Sequence, residues 1–118
     1  MITVIEDDED IRNSIKDILL FEGYQVQTAG NGMEGLGLLC NDAPPCLILL
    51  DLMMPVMNGW DFISACREST SLVNIPIVVV TAAGDVRKLM GTRGVVRKPI
   101  DVERLLKIVE AYCDTSGF

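Results

Sequence analysis

The chain has 118 residues, the length of one ordinary domain. Its 49% hydrophobic content excludes a disordered chain, and 17 acids against 10 bases, net −7, disfavour nucleic acid and anionic membranes as partners. His is absent and aromatics are only 5%, which removes Ser-His-Asp triads, imidazole bases, His-ligated zinc and base-stacking platforms.

In chain order, Ile2 to Ile5 reads as a short strand closed by the five consecutive acids Glu6 to Asp10. Ile11, Ile15, Ile18 and Leu19 then recur at helical spacing, and Gly23 supplies the stop. Tyr24 to Thr28 reads as a second strand, and Gly30-Asn31-Gly32 as a turn. Met33, Leu36, Leu39 and Cys40 mark a second helix, weakened by Gly35 and Gly37. Cys46 to Leu50 and Ile77 to Val80 are apolar at every residue, as strands buried on both faces of a parallel sheet are. Between them lies a helix over about 59–68, with Trp60 and Ile63 expected inward. A weak segment covers 82–93. Gly94 to Arg97 is a fifth short strand, and Val102, Leu105, Leu106, Val109 and Tyr112 give a final helix at 3.6 spacing.

Cys40, Cys46, Cys66 and Cys113 form no CxxC pair and mostly sit in apolar stretches. They are expected to be buried free thiols in a reduced compartment. No basic flank precedes a long apolar run, and no apolar stretch approaches ~18 residues, so neither a signal peptide nor a membrane span is expected. A cytoplasmic setting follows as the expectation.

Strands alternating with helical segments predict an α/β fold. The expected architecture is a single five-stranded parallel sheet of order 2-1-3-4-5, doubly wound in the flavodoxin-like manner, over residues 1–118. Ligands in such sheets bind beyond the strands' carboxyl ends, at the switch point between strands 1 and 3. Strand 1 ends in Glu6-Asp7-Asp8 and strand 3 in Asp51. Asp8, Glu9 and Asp10 are read as the start of the first helix, where its dipole favours negative charge. Glu6, Asp7 and Asp51 are different: three carboxylates packed together repel, and something positive must compensate. Mg2+ is the natural hard cation, with Asp7, Asp51 and a loop carbonyl as ligands. Lys98, at the end of strand 5, is a second positive charge, and Thr81, at the end of strand 4, a hydroxyl donor. A carboxylate can act as nucleophile and form an acyl phosphate, while a cation and Lys98 neutralise the transferring oxygens.

The stretches VIEDDEDIR, LLDLMMPVMNGW, IPIVVVTAA and VRKPI together resemble the response-regulator receiver domain of two-component signalling, over essentially the whole chain. The resemblance implies that Asp51 is the phosphoacceptor. It implies that Asp7 ligates Mg2+ directly and that Glu6 acts largely through water. Met53 contributes its backbone carbonyl, Thr81 is the switch hydroxyl, Lys98 contacts the phosphate, and Lys98-Pro99 is a cis peptide. The implied donor is a histidine kinase or a histidine phosphotransfer protein. The domain is then a signalling module, not an enzyme, beyond catalysing its own phosphorylation and dephosphorylation.

Two departures from the pattern stand out. Only 16 residues separate Thr81 from Lys98, about one and a half helical turns fewer than common in receivers, which predicts a short or irregular fourth helix. Val95 stands where many receivers carry a Tyr or Phe, so the usual threonine-to-aromatic coupling is not available in that form. The apolar bulk of Met53 and Ala83 beside the expected phosphate predicts slow self-dephosphorylation. Alternatives are a receiver-like binding module that does not use phosphate, a Mg2+-dependent aspartyl phosphohydrolase and a flavin-binding protein. The phosphohydrolase wants an acid where Met53 stands. The flavin protein wants a phosphate-cradling loop where Glu6 to Asp8 stand.

Overall fold

The computed structural model describes residues 1–41, 43–82 and 92–113. Five strands, β1 (Ile2–Ile5), β2 (Val26–Ala29), β3 (Leu47–Leu50), β4 (Ile77–Thr81) and β5 (Gly94–Arg97), form one parallel sheet of order β2-β1-β3-β4-β5. The described helices are α1 (Glu9–Phe21), α2 (Gly32–Asn41), α3 (Gly59–Glu68) and α4 (Val102–Tyr112). The fourth helical segment expected between Thr81 and Lys98 falls largely outside the described residues. None of the described helices is long and apolar enough to cross a membrane.

Period-two alternation divides each strand between two apolar layers. Along β3, Leu47 and Leu49 face Ile15 and Leu19 of α1 and Leu105 and Val109 of α4. Ile48 and Leu50 face the opposite way, toward Leu39 of α2 and Phe62, Ile63 and Cys66 of α3. Helices therefore cover both faces, which is why β3 and the first four residues of β4 are apolar at every position. Each such side chain, fully buried, is worth about 1.5–3 kcal/mol of transfer free energy.

Caps set where three helices begin. Asp8, Asn58 and Asp101 each accept a backbone N–H three residues on: from Ile11 at 3.1 Å, Asp61 at 2.9 Å and Arg104 at 3.3 Å. Asp8 thus caps the first helix, as its place after β1 leads one to expect.

Gly59 fixes the phase of α3. A Cβ there would lie 2.7 Å from the Asp51 carbonyl oxygen and 2.7 Å from Leu52 Cα, both backbone atoms with little room to give. The first turn of α3 is pressed beneath the loop that carries Asp51, and the Gly59 N–H donates to the Leu52 carbonyl at 2.9 Å. Gly59→Ala is therefore expected to cost about 1–3 kcal/mol, read as a lower urea midpoint. An unchanged midpoint would mean that the loop yields freely.

Two expectations are corrected. Trp60 is not inward but 42% exposed; with Gly59 pinned under the loop, the helical repeat turns Phe62, Ile63 and Cys66 to the sheet instead. The cysteines are not four buried free thiols: Cys46 and Cys113 form a disulfide, Cys40 is an exposed thiol and only Cys66 is buried and free.

Candidate functional site

The parallel register brings the strand ends together. Ile5 pairs with Leu50, so Glu6 and Asp51 emerge side by side, and the Asp51 N–H donates to the Ile5 carbonyl at 3.0 Å. At the next junction the Lys98 N–H donates to the Thr81 carbonyl at 3.0 Å. Lys98-Pro99 is cis. Thr81 is buried at the end of β4.

Lys98 reaches back across the sheet edge. Its ammonium donates to Glu6 Oε1 and lies 3.5 Å from Asp51 Oδ2. All three side chains are withdrawn from water, with exposures of 14% for Lys98, 2% for Glu6 and 6% for Asp51. Asp7 remains exposed at the rim. Glu6, Asp7 and Asp51 each offer a carboxylate oxygen, all within 4.8 Å of one another.

One ammonium against three clustered carboxylates leaves the site short of positive charge. Burial, and secondarily Asp51, push the Glu6 carboxyl up from 4.5 to about 7, although Lys98 pulls the other way. For Lys98, burial favours the neutral amine, but Glu6 and then Asp51 outweigh it and hold its pKa above the ordinary lysine value. Glu6, Asp7 and Asp51 together offer a cation three carboxylates at one point of the sheet edge. The donor set is all hard oxygen, which suits Mg2+.

The loop after Asp51 runs past the same crevice. The Met53 N–H donates weakly to Asp51 Oδ1 at 3.4 Å, and the Met53 side chain is 62% exposed. Val56 takes a positive φ of 67°, unusual for a β-branched residue, in a tight turn in which the Met57 N–H donates to the Pro55 carbonyl at 2.8 Å.

Residues 2–110 match the family profile described as the response regulator receiver domain. The chain belongs to the response regulator receiver domain family. It is 34% identical over 116 residues to the response regulator MprA of Mycobacterium avium, covering 93% of this chain and 49% of that protein. It is 42% identical over 84 residues to the sensor histidine kinase TmoS of Ectopseudomonas mendocina, covering 71% of this chain and 8% of that one. The receiver domain thus spans about half the length of one relative and a small part of the other. Among solved structures, a CheY-like receiver domain from Methanospirillum hungatei superposes with a TM-score of 0.78 at 31% identity, covering 91% of this chain and 88% of that chain. Chemotaxis protein CheY4 of Vibrio cholerae does so at 0.84 and 29%, covering 94% and 96%.

All the acids expected at the switch point meet in the receiver domain, and Lys98 joins them. Sequence reasoning missed Arg12. Its guanidinium donates to the Glu6 carbonyl at 3.0 Å, while the Glu6 N–H donates to the Ala29 carbonyl at 3.0 Å, so the peptide that carries the acidic pair is gripped on both sides. The available signal was that Arg12 is the first cation after five consecutive acids.

Proposed function

We propose that Asp51 accepts a phosphoryl group from a phosphohistidine on a partner protein, in a Mg2+-dependent reaction, and that the acyl phosphate changes the surface the domain offers to others. The observation that carries this reading is the convergence of Lys98 on Glu6 and Asp51, beside Asp7, at one sheet edge. A carboxylate oxygen of Asp51 attacks phosphorus, the P–N bond to the donor imidazole breaks, and the imidazole nitrogen keeps the bonding pair. Lys98 follows the charge from the free carboxylate to the phosphoryl oxygens. The Thr81 hydroxyl is the donor that the new group draws in. Asp7, Asp51 and the Met53 carbonyl would hold Mg2+, with Glu6 acting through water, and the bound ion neutralises phosphoryl charge. Exposed, apolar Met53 orients no hydrolytic water, which favours a long-lived acyl phosphate. This chain has no His, so the phosphohistidine lies outside the sequence described.

Incubation with acetyl phosphate and Mg2+ is expected to add one phosphoryl mass to the intact protein, and Asp51→Ala to add none. An adduct that persists in Asp51→Ala would refute the assignment. No adduct from any donor would favour the phosphate-independent binding module.

An apolar furrow opens beside Lys98, and we infer that a protein donor docks there. Ile11, Ile15, Ile18, Pro99, Ile100 and Val102 line a cavity of about 380 Å³, and Ile18 and Val102 continue it toward Phe21 and Leu106. A protein donor docked on this face would cover the furrow, whereas acetyl phosphate needs no such contact. Ile18→Glu is therefore expected to slow transfer from a protein donor at least tenfold while leaving acetyl phosphate labelling unchanged. Equal slowing of both would place the defect in the site itself.

A further inference from the structure

Cys46 and Cys113 are joined across a sequence separation of 67, with Cα atoms 5.5 Å apart. Cys46 immediately precedes β3, and its N–H donates to the Met1 carbonyl at 2.8 Å. Cys113 is the C-cap of α4, and its N–H donates to the Val109 carbonyl at 2.7 Å. The bond therefore fastens the end of α4 to the N-terminal edge of the sheet. Asp51 follows the opposite end of β3, so the cross-link and the acidic site stand at the two ends of one strand.

The two cysteines are unequally exposed. Cys46 is half-buried, while Cys113 is 4% exposed and packs in the apolar layer with Ile2, Leu47 and Val109. A small thiol meets Cys46 first. The other cysteines are poor competitors: Cys40 and Cys66 lie on α2 and α3, across the sheet, and burial, with Cys40 nearby, pushes the Cys66 thiol up to about 11.

We propose that Cys46–Cys113 is a reversible dithiol–disulfide site that exchanges with a low-molecular-weight thiol–disulfide couple, and that its state sets how firmly the end of α4 is held to the sheet. In reduction, the thiolate of one small thiol attacks the Cys46 sulfur. The protein S–S bond breaks, and Cys113 leaves as a thiolate and takes a proton. A second small thiolate attacks the small-molecule sulfur of the mixed disulfide and releases Cys46, which is also protonated. Two small thiols become one small disulfide while the protein disulfide becomes two thiols, and oxidation is the reverse. The dithiol keeps the apolar contacts of Leu105 and Val109 but loses the covalent tie at the last turn. The site is independent of phosphoryl acceptance at the far end of β3.

The test is a titration of the full chain in glutathione buffers of graded ratio, quenched with acid, alkylated and read by mass. The pair is expected to pass from dithiol to disulfide within that range. The disulfide form is expected to melt higher by the order of 10 °C, since the bond closes a long loop of the unfolded chain. Amide exchange over the last turn of α4 is expected to be at least tenfold faster in the dithiol, with Cys46→Ser matching the dithiol in both buffers. Acetyl phosphate labelling is expected to be equal in the two forms. A pair that never closes, or one that never opens at any ratio, overturns the proposal, as does equal exchange in the two forms. The wild-type titration decides even if Cys46→Ser fails to fold.

Discussion

Replacing Lys98 by Met is expected to cost the metal-free receiver domain about 3–5 kcal/mol at neutral pH, the usual penalty for stripping the cation from a buried ion pair. Met keeps most of the apolar stem, so the loss isolates the charge. An exposed pair would give a fraction of this. Here the ammonium is 14% exposed and its partners Glu6 and Asp51 only 2% and 6%, so water cannot replace it. The domain has one relief. Glu6 already holds its proton up to about pH 7, and without Lys98 it holds it more tightly still. The penalty should therefore shrink on acidification, and Lys98→Met combined with Glu6→Gln should recover part of it. Urea unfolding of the three variants at two pH values provides the measurement. A Lys98→Met midpoint within the error of the parent, at a pH where Glu6 is ionised, would show that the ammonium is solvated and that the three-way contact contributes nothing.

The ease with which this site could be read follows from the parallel sheet. Strands buried on both faces write themselves as LILL and IVVV, and a charged residue straight after such a run is already placed at the sheet edge. Topology then collects the edges: Glu6, Asp51 and Lys98 are far apart in sequence, yet each needs only its strand's position to be assigned to the crevice. Trp60 failed for lack of a comparable constraint. Its hydrophobicity pointed inward, but the phase of α3 is set by the contact of Gly59 with the Asp51 backbone, which no periodicity reports. Arg12 escaped because its partner is a backbone carbonyl, and carbonyls are anonymous in a sequence. The Cys46–Cys113 pair escaped because it joins the start of β3 to the end of α4, two element ends whose alignment no local sequence pattern reports.

Raising the pH of the metal-free receiver domain from about 4.5 to about 7 is expected to remove up to about 3 kcal/mol of stability through Glu6. The sign follows from proton counting. The unfolded carboxyl releases its proton near 4.5, whereas the folded one, held by burial first and by Asp51 second, keeps it to about 7. Between these values the folded state binds more protons, so stability falls as pH rises. The contribution is complete below about 4.5 and gone above about 7. Lys98 acts in a separate range: its raised pKa gives stability that is complete below the ordinary lysine value of 10.5 and lost only at more alkaline pH. A cation in the crevice competes with the Glu6 proton for the same negative charge. Millimolar Mg2+ is thus expected to raise the melting temperature most at neutral pH and least near pH 5, which flattens the decline. Glu6→Gln, which retains an acceptor oxygen but cannot ionise, should lose the decline without needing Mg2+. A metal-free parent that gains stability through this window, with Glu6→Gln tracking it, would show that Glu6 is ionised throughout and that Lys98 alone balances the acids.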